Sequence, residues 1–170
     1  MKSLLLLRHA KSSWDDGTVA DVERPLAVRG RQAASAMADE LARRGWVPDH
    51  VLVSPARRTR ETWAAFQARL SAAPEVQFPR ALYEAAAPRL LDTLRQMSDD
   101  ARTVLLIGHN PGLEELAKKL SGPGSDRSAL ARLRSKFPTA AVARLAVEGS
   151  WAELGWRLAR LTDFVRPKDL

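Results

Sequence analysis

The chain has no cysteine in 170 residues. That excludes a disulfide framework, a cysteine nucleophile and thiolate-ligated zinc, and it fits a reducing compartment. Aromatic residues make up only 6%, so stacking platforms for nucleic-acid bases are scarce. Long hydrophobic runs are missing too. The N-terminus passes from Met1-Lys2 into four leucines and then meets Arg8. That run is too short for a signal-peptide core or a membrane span, so a cytoplasmic chain with no membrane partner is expected. The formal net charge is +7, which raises the question of nucleic acid. However, no five or six like charges stand in a row, and the arginines are mixed with acids, as in Asp39-Glu40 beside Arg43-Arg44. The excess reads as a generally basic surface, and no nucleic-acid partner is expected. The patterns G-x-x-x-x-G-K-[ST], G-x-G-x-x-G and G-x-S-x-G are all absent. Nucleotide-binding loops and a serine-hydrolase elbow are thereby excluded.

What is present is a set of three short apolar runs, each ending in polar chemistry. Leu4-Leu5-Leu6-Leu7 runs into Arg8-His9. Val51-Leu52-Val53 runs into Ser54-Pro55 and then Arg57-Arg58. Val104-Leu105-Leu106-Ile107 runs into Gly108-His109-Asn110-Pro111. Such runs are the pattern of buried parallel strands. Between them, apolar residues recur at helical spacing. Ala33, Met37 and Leu41 mark a helix over about 30–44 that Gly45 ends. Trp63, Phe66 and Leu70 mark a second, with Ser54 as its N-cap and Pro55 at its first position. Leu90, Leu91, Leu94 and Met97 mark a third from Pro88, and Leu113, Leu116, Ala117 and Leu120 a fourth after the same cap-then-proline device at Asn110-Pro111. A short strand is expected near 76–78, a basic helix over 127–136, and a closing hairpin from 140–147 and 156–164 around a turn at 148–150. An apolar content of 45% supplies ample core for one domain over 1–170. The expected fold is an α/β three-layer sandwich, with a mostly parallel central sheet, helices on both faces and an antiparallel edge.

In open α/β sheets, ligands bind outside the carboxyl ends of the strands. Arg8, His9, Arg57 or Arg58, and His109 all fall at such ends, and two arginines with two histidines suit a small anion, phosphate first. His9 as a neutral imidazole is a competent nucleophile toward phosphorus, and Arg8 offers a planar fork to phosphate oxygens. Arg57 and Arg58 lie in a first helical turn, where the helix dipole disfavours cations unless an anion is bound. Arg60 and Glu61 read as a solvated helical face. His109, between a buried strand and a capped helix, is forced to the same sheet edge, whereas His50 precedes its strand and is given no role. Glu84, in a loop after the third strand, is either a surface carboxylate or an acid able to protonate a leaving oxygen and later activate water. Asp15 or Asp16 could join the histidines around a metal, but no His-x-x-x-His or carboxylate cluster supports one; no metal or other cofactor is expected.

These residues carry a resemblance. Leu7-Arg8-His9-Ala10 is similar to the Arg-His-Gly signature of the histidine phosphatase (phosphoglycerate mutase-like) superfamily, with Ala in the Gly position. Ser54-Pro55-x-x-Arg58-x-x-x-Thr62 and Gly108-His109-Asn110-Pro111 extend it, in order, over the first 120 residues or so. The start Arg8-His9-Ala10-Lys11-Ser12-Ser13-Trp14, then Asp21 with Arg24-Pro25-Leu26 and Arg29-Gly30, and the closing Asp163-Phe164-Val165-Arg166-Pro167, resemble the small SixA-type branch. The resemblance implies that His9 is phosphorylated during turnover, that Arg8, Arg58 and His109 form the phosphate pocket, and that Glu84 stands where many members keep a proton donor. It selects Arg58 over Arg57 and implies a metal-independent phosphatase acting on protein phosphohistidine, with inorganic phosphate as product. No connection is long enough for a large lid, which suits a macromolecular donor. Two other readings stay open: a small-molecule phosphomonoesterase, and a phosphate-sensing or phosphoprotein-binding module with weak hydrolysis.

Overall fold

A computed structural model describes residues 1–14 and 17–170; Asp15 and Asp16, the carboxylates considered for a metal, lie outside the described residues. Six strands form one sheet: β1 (Lys2–Arg8), β2 (His50–Val53), β3 (Glu75–Gln77), β4 (Thr103–Gly108), β5 (Val142–Val147) and β6 (Ala159–Val165). Their order across the sheet is β3-β2-β4-β1-β5-β6. β1 to β4 run parallel, and β5 and β6 add an antiparallel edge. The helices are α1 (Val28–Arg43), α2 (Arg57–Gln67), α3 (Ala87–Arg95), α4 (Gly112–Leu120) and α5 (Arg127–Ser135). This is the expected three-layer α/β sandwich. No helix among the described residues is long and apolar enough to cross a membrane.

The unbroken leucine run of β1 is explained by burial on both faces. Leu5 and Leu7 pack with Met37 and Leu41 of α1 and Trp63 and Phe66 of α2. Leu4 and Leu6 face Leu90 and Leu94 of α3, Leu113 and Leu116 of α4, and Leu133 of α5. β4 divides the same way, Leu105 and Ile107 to the first layer and Val104 and Leu106 to the second. The period-2 alternation of a strand is therefore present but silent in the sequence, because each face meets its own helical layer.

The parallel strands end level. Arg8 pairs with Gly108, and Leu7 and Val53 both pair with Ile107. The backbone N–H groups of His9 and Ser54 continue the ladder, to Gly108 O and Ile107 O, each at 3.1 Å. β1 and β4 are neighbours, yet the helices that follow them lie on opposite faces. A crevice opens where the two chains part, the topological switch point at which ligands bind in such sheets.

Several local expectations are corrected. α2 starts at Arg57, with Ala56 as N-cap and no side-chain cap; Ser54 is engaged elsewhere, and Pro55 stands before the helix. Pro111 occupies the N-cap of α4 rather than its first position, while Asn110 still accepts from Glu114 N–H at 3.2 Å. Glu61 is not merely a solvated face. It accepts from the Leu26 N–H at 2.8 Å and from Arg57 at 2.9 Å, tying Leu26, just before α1, to α2. β5 starts two residues late because Ala140 adopts φ 63° and directs its N–H to the Arg8 and His9 carbonyls. β6 starts three residues late, with Arg157 at φ 63°. Gly45 does end α1 in the left-handed region, at φ 73°.

The outer edge of β6 is not open. Gly122 N–H and Asp126 N–H donate to Ala159 O and Leu161 O at 2.7 and 2.8 Å. Ser125 Oγ accepts from Leu161 N–H at 3.0 Å, and the Arg132 guanidinium reaches Phe164 O at 2.9 Å. The α4–α5 connection and α5 thus satisfy groups that an edge strand would otherwise expose.

Close approach fixes the loop that carries Glu84. A Cβ on Gly112 would lie 1.9 Å from the Ala85 carbonyl oxygen, so the α4 N-terminus touches the 84–86 backbone through a position without a side chain. Gly112→Ala should therefore lower stability by about 1–3 kcal/mol, read as a reduced urea midpoint at constant m-value. Gly17→Ala, with nothing within 4 Å of its Cβ, is the control and should change little.

Candidate active site

The crevice holds His9 and His109 with ring centroids 5.4 Å apart. Both side chains are buried, at 8% and 7% exposure. His9 Nδ1 lies 2.7 Å from the Ala10 carbonyl oxygen. A carbonyl can only accept, so Nδ1 carries the proton and the Nε2 lone pair is left free. Burial, together with the nearby charges of Arg58 and Arg8, pushes the His9 pKa down to about 3 against the pull of that hydrogen bond. His109 Nε2 is 2.7 Å from Ser54 Oγ, the engagement that takes Ser54 away from helix capping. Burial first and then Arg58 lower its pKa to about 4. Both imidazoles are therefore neutral at pH 7.

Two arginines enter the crevice already anchored. Arg8, whose pKa is lowered by burial, donates from Nη1 to Phe137 O at 3.0 Å. The same carbonyl accepts from Asn110 Nδ2 at 3.0 Å. Arg58, 5% exposed, donates from Nη1 to Asp21 O at 2.8 Å and from Nη2 to Asp21 Oδ2 at 3.1 Å. Arg57 instead points out, half exposed, toward Glu61. Among the described residues, three buried side-chain nitrogens have no hydrogen-bond partner: Arg8 Nε, Arg58 Nε and His109 Nδ1. An unsatisfied buried polar group costs roughly 1–3 kcal/mol. Here all three belong to one crevice, and two of them are N–H donors on cations, which is the chemistry of anion recognition.

Asp21 organises this arrangement. Besides Arg58, it accepts from Arg24 Nε at 3.1 Å and from the Tyr83 hydroxyl. The Tyr83 bond is the main reason that its pKa is held at about 2, with Arg58 contributing. Tyr83 itself is pushed up to about 12, by burial and by Asp21, and its ring stands edge-on to His109 at 5.6 Å. Arg24 also donates to Ser12 Oγ at 2.8 Å and lies 3.5 Å over the exposed Trp14 ring. The Ala10 N–H donates to Thr62 Oγ1 at 3.1 Å, tying the residue after His9 to α2. Ala10 is not among the positive-φ residues, so its Cβ is accommodated.

The crevice has two adjoining parts. A basic hollow of about 290 Å³ is lined by Arg8, His9, Lys11, Arg24, Arg58 and His109. Beside it, a recess of about 480 Å³ is lined by Arg58, His109, Asp21, Glu84 and Glu115. Glu84 is exposed and held at φ 54°, an uncommon conformation for a residue with a side chain. The structure thus brings Arg8, His9, Arg58 and His109 together and sets Glu84 at the rim of the recess. His50 lies at the opposite end of its strand, between Asp49 at 2.7 Å and Glu75 at 2.8 Å. Sequence reasoning found no separate role for Asp21, Ser54 or Tyr83. Asp21 is visible only within the resemblance, and Ser54-Pro55 has the local pattern of a helix cap.

Comparison with known proteins agrees with this geometry. Residues 4–90, just over half of the chain, match the histidine phosphatase superfamily (branch 1). An uncharacterized chloroplastic protein of Arabidopsis thaliana is 36% identical over 94% of this chain and 77% of its own length. An uncharacterized protein of Mycobacterium tuberculosis is 35% identical over 95% of this chain and all of its own. Among solved structures, a SixA from Nakamurella multipartitia, proposed as a phosphohistidine phosphatase, superposes with a TM-score of 0.83 at 32% identity. It covers 98% of this chain and 96% of that one. The protein histidine phosphatase SixA in complex with tungstate shares the fold, with a TM-score of 0.80 at 21% identity and 98% of each chain covered. Relatives above 30% identity over nearly the whole length, and the match across β1 to α3, lead to one assignment: the chain belongs to the histidine phosphatase superfamily (branch 1), in its SixA-type group.

Proposed function

We propose that this phosphatase works without a metal ion, through a phosphorylated His9, and that its substrate is phosphohistidine on another protein. The observation that carries the reading is the His9 Nδ1 contact with the Ala10 carbonyl, which leaves a neutral Nε2 lone pair beside two anchored arginines. In the first step that lone pair forms a bond to phosphorus and the substrate N–P bond breaks. The departing imidazole takes the bond's electron pair and leaves neutral, with one ring proton supplied by solvent water. In the second step water attacks phospho-His9 and inorganic phosphate leaves, returning neutral His9. Arg8, Arg58 and His109 hold the phosphoryl oxygens, and their Nε and Nδ1 atoms without partners support that role. Preorganised donors of this kind act where charge develops. The likeness to SixA proteins proposed as phosphohistidine phosphatases, at 32% and 30% identity over 98% of the chain, supports the substrate class. Glu84 at the rim favours a second reading, a small phosphomonoester, because an alkoxide leaves poorly and needs an acid beside it.

Trapping the intermediate tests the mechanism. With a phosphoryl donor and a chelator present, the wild type should accumulate an acid-labile phosphoenzyme detectable by intact-mass measurement. His9→Ala should form none and turn nothing over, while His109→Ala should retain a trace. Near-normal turnover by His9→Ala would sink the covalent route.

The two neighbouring arginines should separate cleanly. Arg58→Ala removes a buried, anchored guanidinium and should weaken tungstate or phosphate binding by about 2–5 kcal/mol. Arg57→Ala removes a half-exposed partner of Glu61 and should cost less than about 1 kcal/mol. Calorimetric titration of both variants decides, and equal losses would place the anion elsewhere.

The histidines set an acid limb. Their folded pKa values of about 3 and about 4 lie below the value of about 6.5 in an unfolded chain. The unfolded state therefore binds more protons between these limits, and stability falls as pH falls from about 6.5 toward 3–4. For the same reason kcat/KM should show no descending limb near pH 6.5, only one well below it. A His9→Ala variant should lose part of the acid sensitivity in urea midpoints measured from pH 7 to pH 4.

A further inference from the structure

We propose that the recess beside the basic hollow selects a phosphohistidine flanked by a lysine or arginine side chain, with Glu115 and Glu84 receiving that cation. The inference rests on the phosphatase reading above and adds which phosphoproteins the site accepts.

The lining of the recess carries both signs of charge. Arg58 and His109, each more than nine-tenths buried, reach it from below, with Arg58 Nε and His109 Nδ1 lacking partners. On its rim are Glu84 and Glu115. The other acids nearby are committed. Asp21 is bound by Arg24, Arg58 and Tyr83, and Glu114 accepts from Phe137 N–H at 3.1 Å and pairs with Lys118 at 3.7 Å. Among the described residues, neither Glu84 nor Glu115 has an ion-pair partner, although the chain has 27 Lys and Arg against 20 Asp and Glu. Favourable placement at the α4 N-terminus would account for one carboxylate there, and Glu114 already serves. It does not account for a second, Glu115, which lines the same recess of about 480 Å³ as Glu84.

A purely anionic ligand would be repelled at the rim, and a purely cationic one at the floor. The ligand that fits both carries its phosphoryl group and a cation a short distance apart. His9 lines only the basic hollow, so the phosphoryl group lies there and the leaving group extends into the recess. The volume is that of an ordinary ligand site, with room for an imidazole and one neighbouring side chain. A departing imidazole makes little demand on an acid, which leaves Glu84 free to act as a charge.

The test uses the full chain and two phosphohistidine peptides of equal length, one with lysine and one with glycine on both sides of the phosphohistidine. In the wild type, the lysine peptide should be hydrolysed with a kcat/KM about fivefold higher, as expected for one or two partly exposed ion pairs. The difference should lie mainly in KM and shrink at 0.5 M salt, since about that concentration cuts screening lengths to a few ångströms. In Glu115→Lys the ratio of the two peptides should invert, and in Glu115→Gln it should fall toward one. The ratio cancels any loss shared by both peptides, and thermal melts report whether the variants fold. An unchanged ratio in Glu115→Lys, or equal rates for the two peptides in the wild type, would overturn the proposal while leaving the phosphatase reading intact. If neither peptide nor p-nitrophenyl phosphate is turned over and no phosphoenzyme forms, the phosphatase reading falls and the inference with it.

Discussion

The constraint on which the rest depends is the in-register pairing of β1 with β4. Leu4 to Leu7 lie beside Val104 to Ile107, so Arg8 and Gly108 end level. A slip of one residue would exchange the faces of the shifted strand and put its large side chains into the wrong helical layers. The same register fixes where His9 and His109 stand relative to each other. Hydrophobic packing in the core thereby sets a spacing between imidazoles that no direct bond between them enforces. Because the chain leaves β1 toward one face and β4 toward the other, nothing fills the gap between the two strand ends, and the crevice is a consequence of topology.

Within that crevice the polar groups are arranged by a second organiser, Asp21. It belongs to no sheet strand or long helix, only to a single turn of 3₁₀ helix at Asp21–Glu23, yet it is bound by Arg24, Arg58 and Tyr83. A long arginine side chain loses considerable rotamer freedom when fixed. With Asp21 holding both Nη atoms of Arg58, that cost is met by the fold itself before any ligand arrives, which is the essence of preorganisation. The excursion between β1 and α1 has a comparable purpose. Glu61 binds Leu26, Ala27 N–H bonds Lys11 O at 2.9 Å, and Ser13 N–H bonds Pro25 O at 2.8 Å, so the two described ends of the connection are tied to each other and to α2 beside the site.

How much of this was legible in the sequence follows from the range of the interactions. The strands and helices carry their pattern locally, in four-residue apolar runs and in spacings such as Met37 to Leu41. Arg8, His9 and His109 were legible because each directly follows or lies close to a buried run, so its position on the sheet edge needs no tertiary information; the run before α2 left Arg57 and Arg58 equivalent, and only the family resemblance separated them. Asp21, Ser54 and Tyr83 were not. Their partners lie 37, 55 and 62 residues away in sequence, and nothing in their own neighbourhoods reports such contacts. Ser54 was misread for a related reason: Ser-Pro before a helix satisfies the local rules for a cap, and the His109 ring outcompetes the helix for its hydroxyl. The late starts of β5 and β6 have the same origin. Ala140 and Arg157 adopt a left-handed conformation that nothing in their side chains announces, and at Ala140 the bonds to Arg8 O and His9 O compensate for it.

The sealed edge of β6 has a consequence for how a protein partner can be held. A sheet with free N–H and C=O groups along its border recruits extended chains through the backbone, with little regard to their side chains. On this side the border is occupied by the chain's own Gly122, Ser125, Asp126 and Arg132. An incoming polypeptide therefore finds no ladder to join there. A chain approaching this border meets backbone groups that are already paired, so contact there is decided by side-chain shape and charge rather than by strand addition.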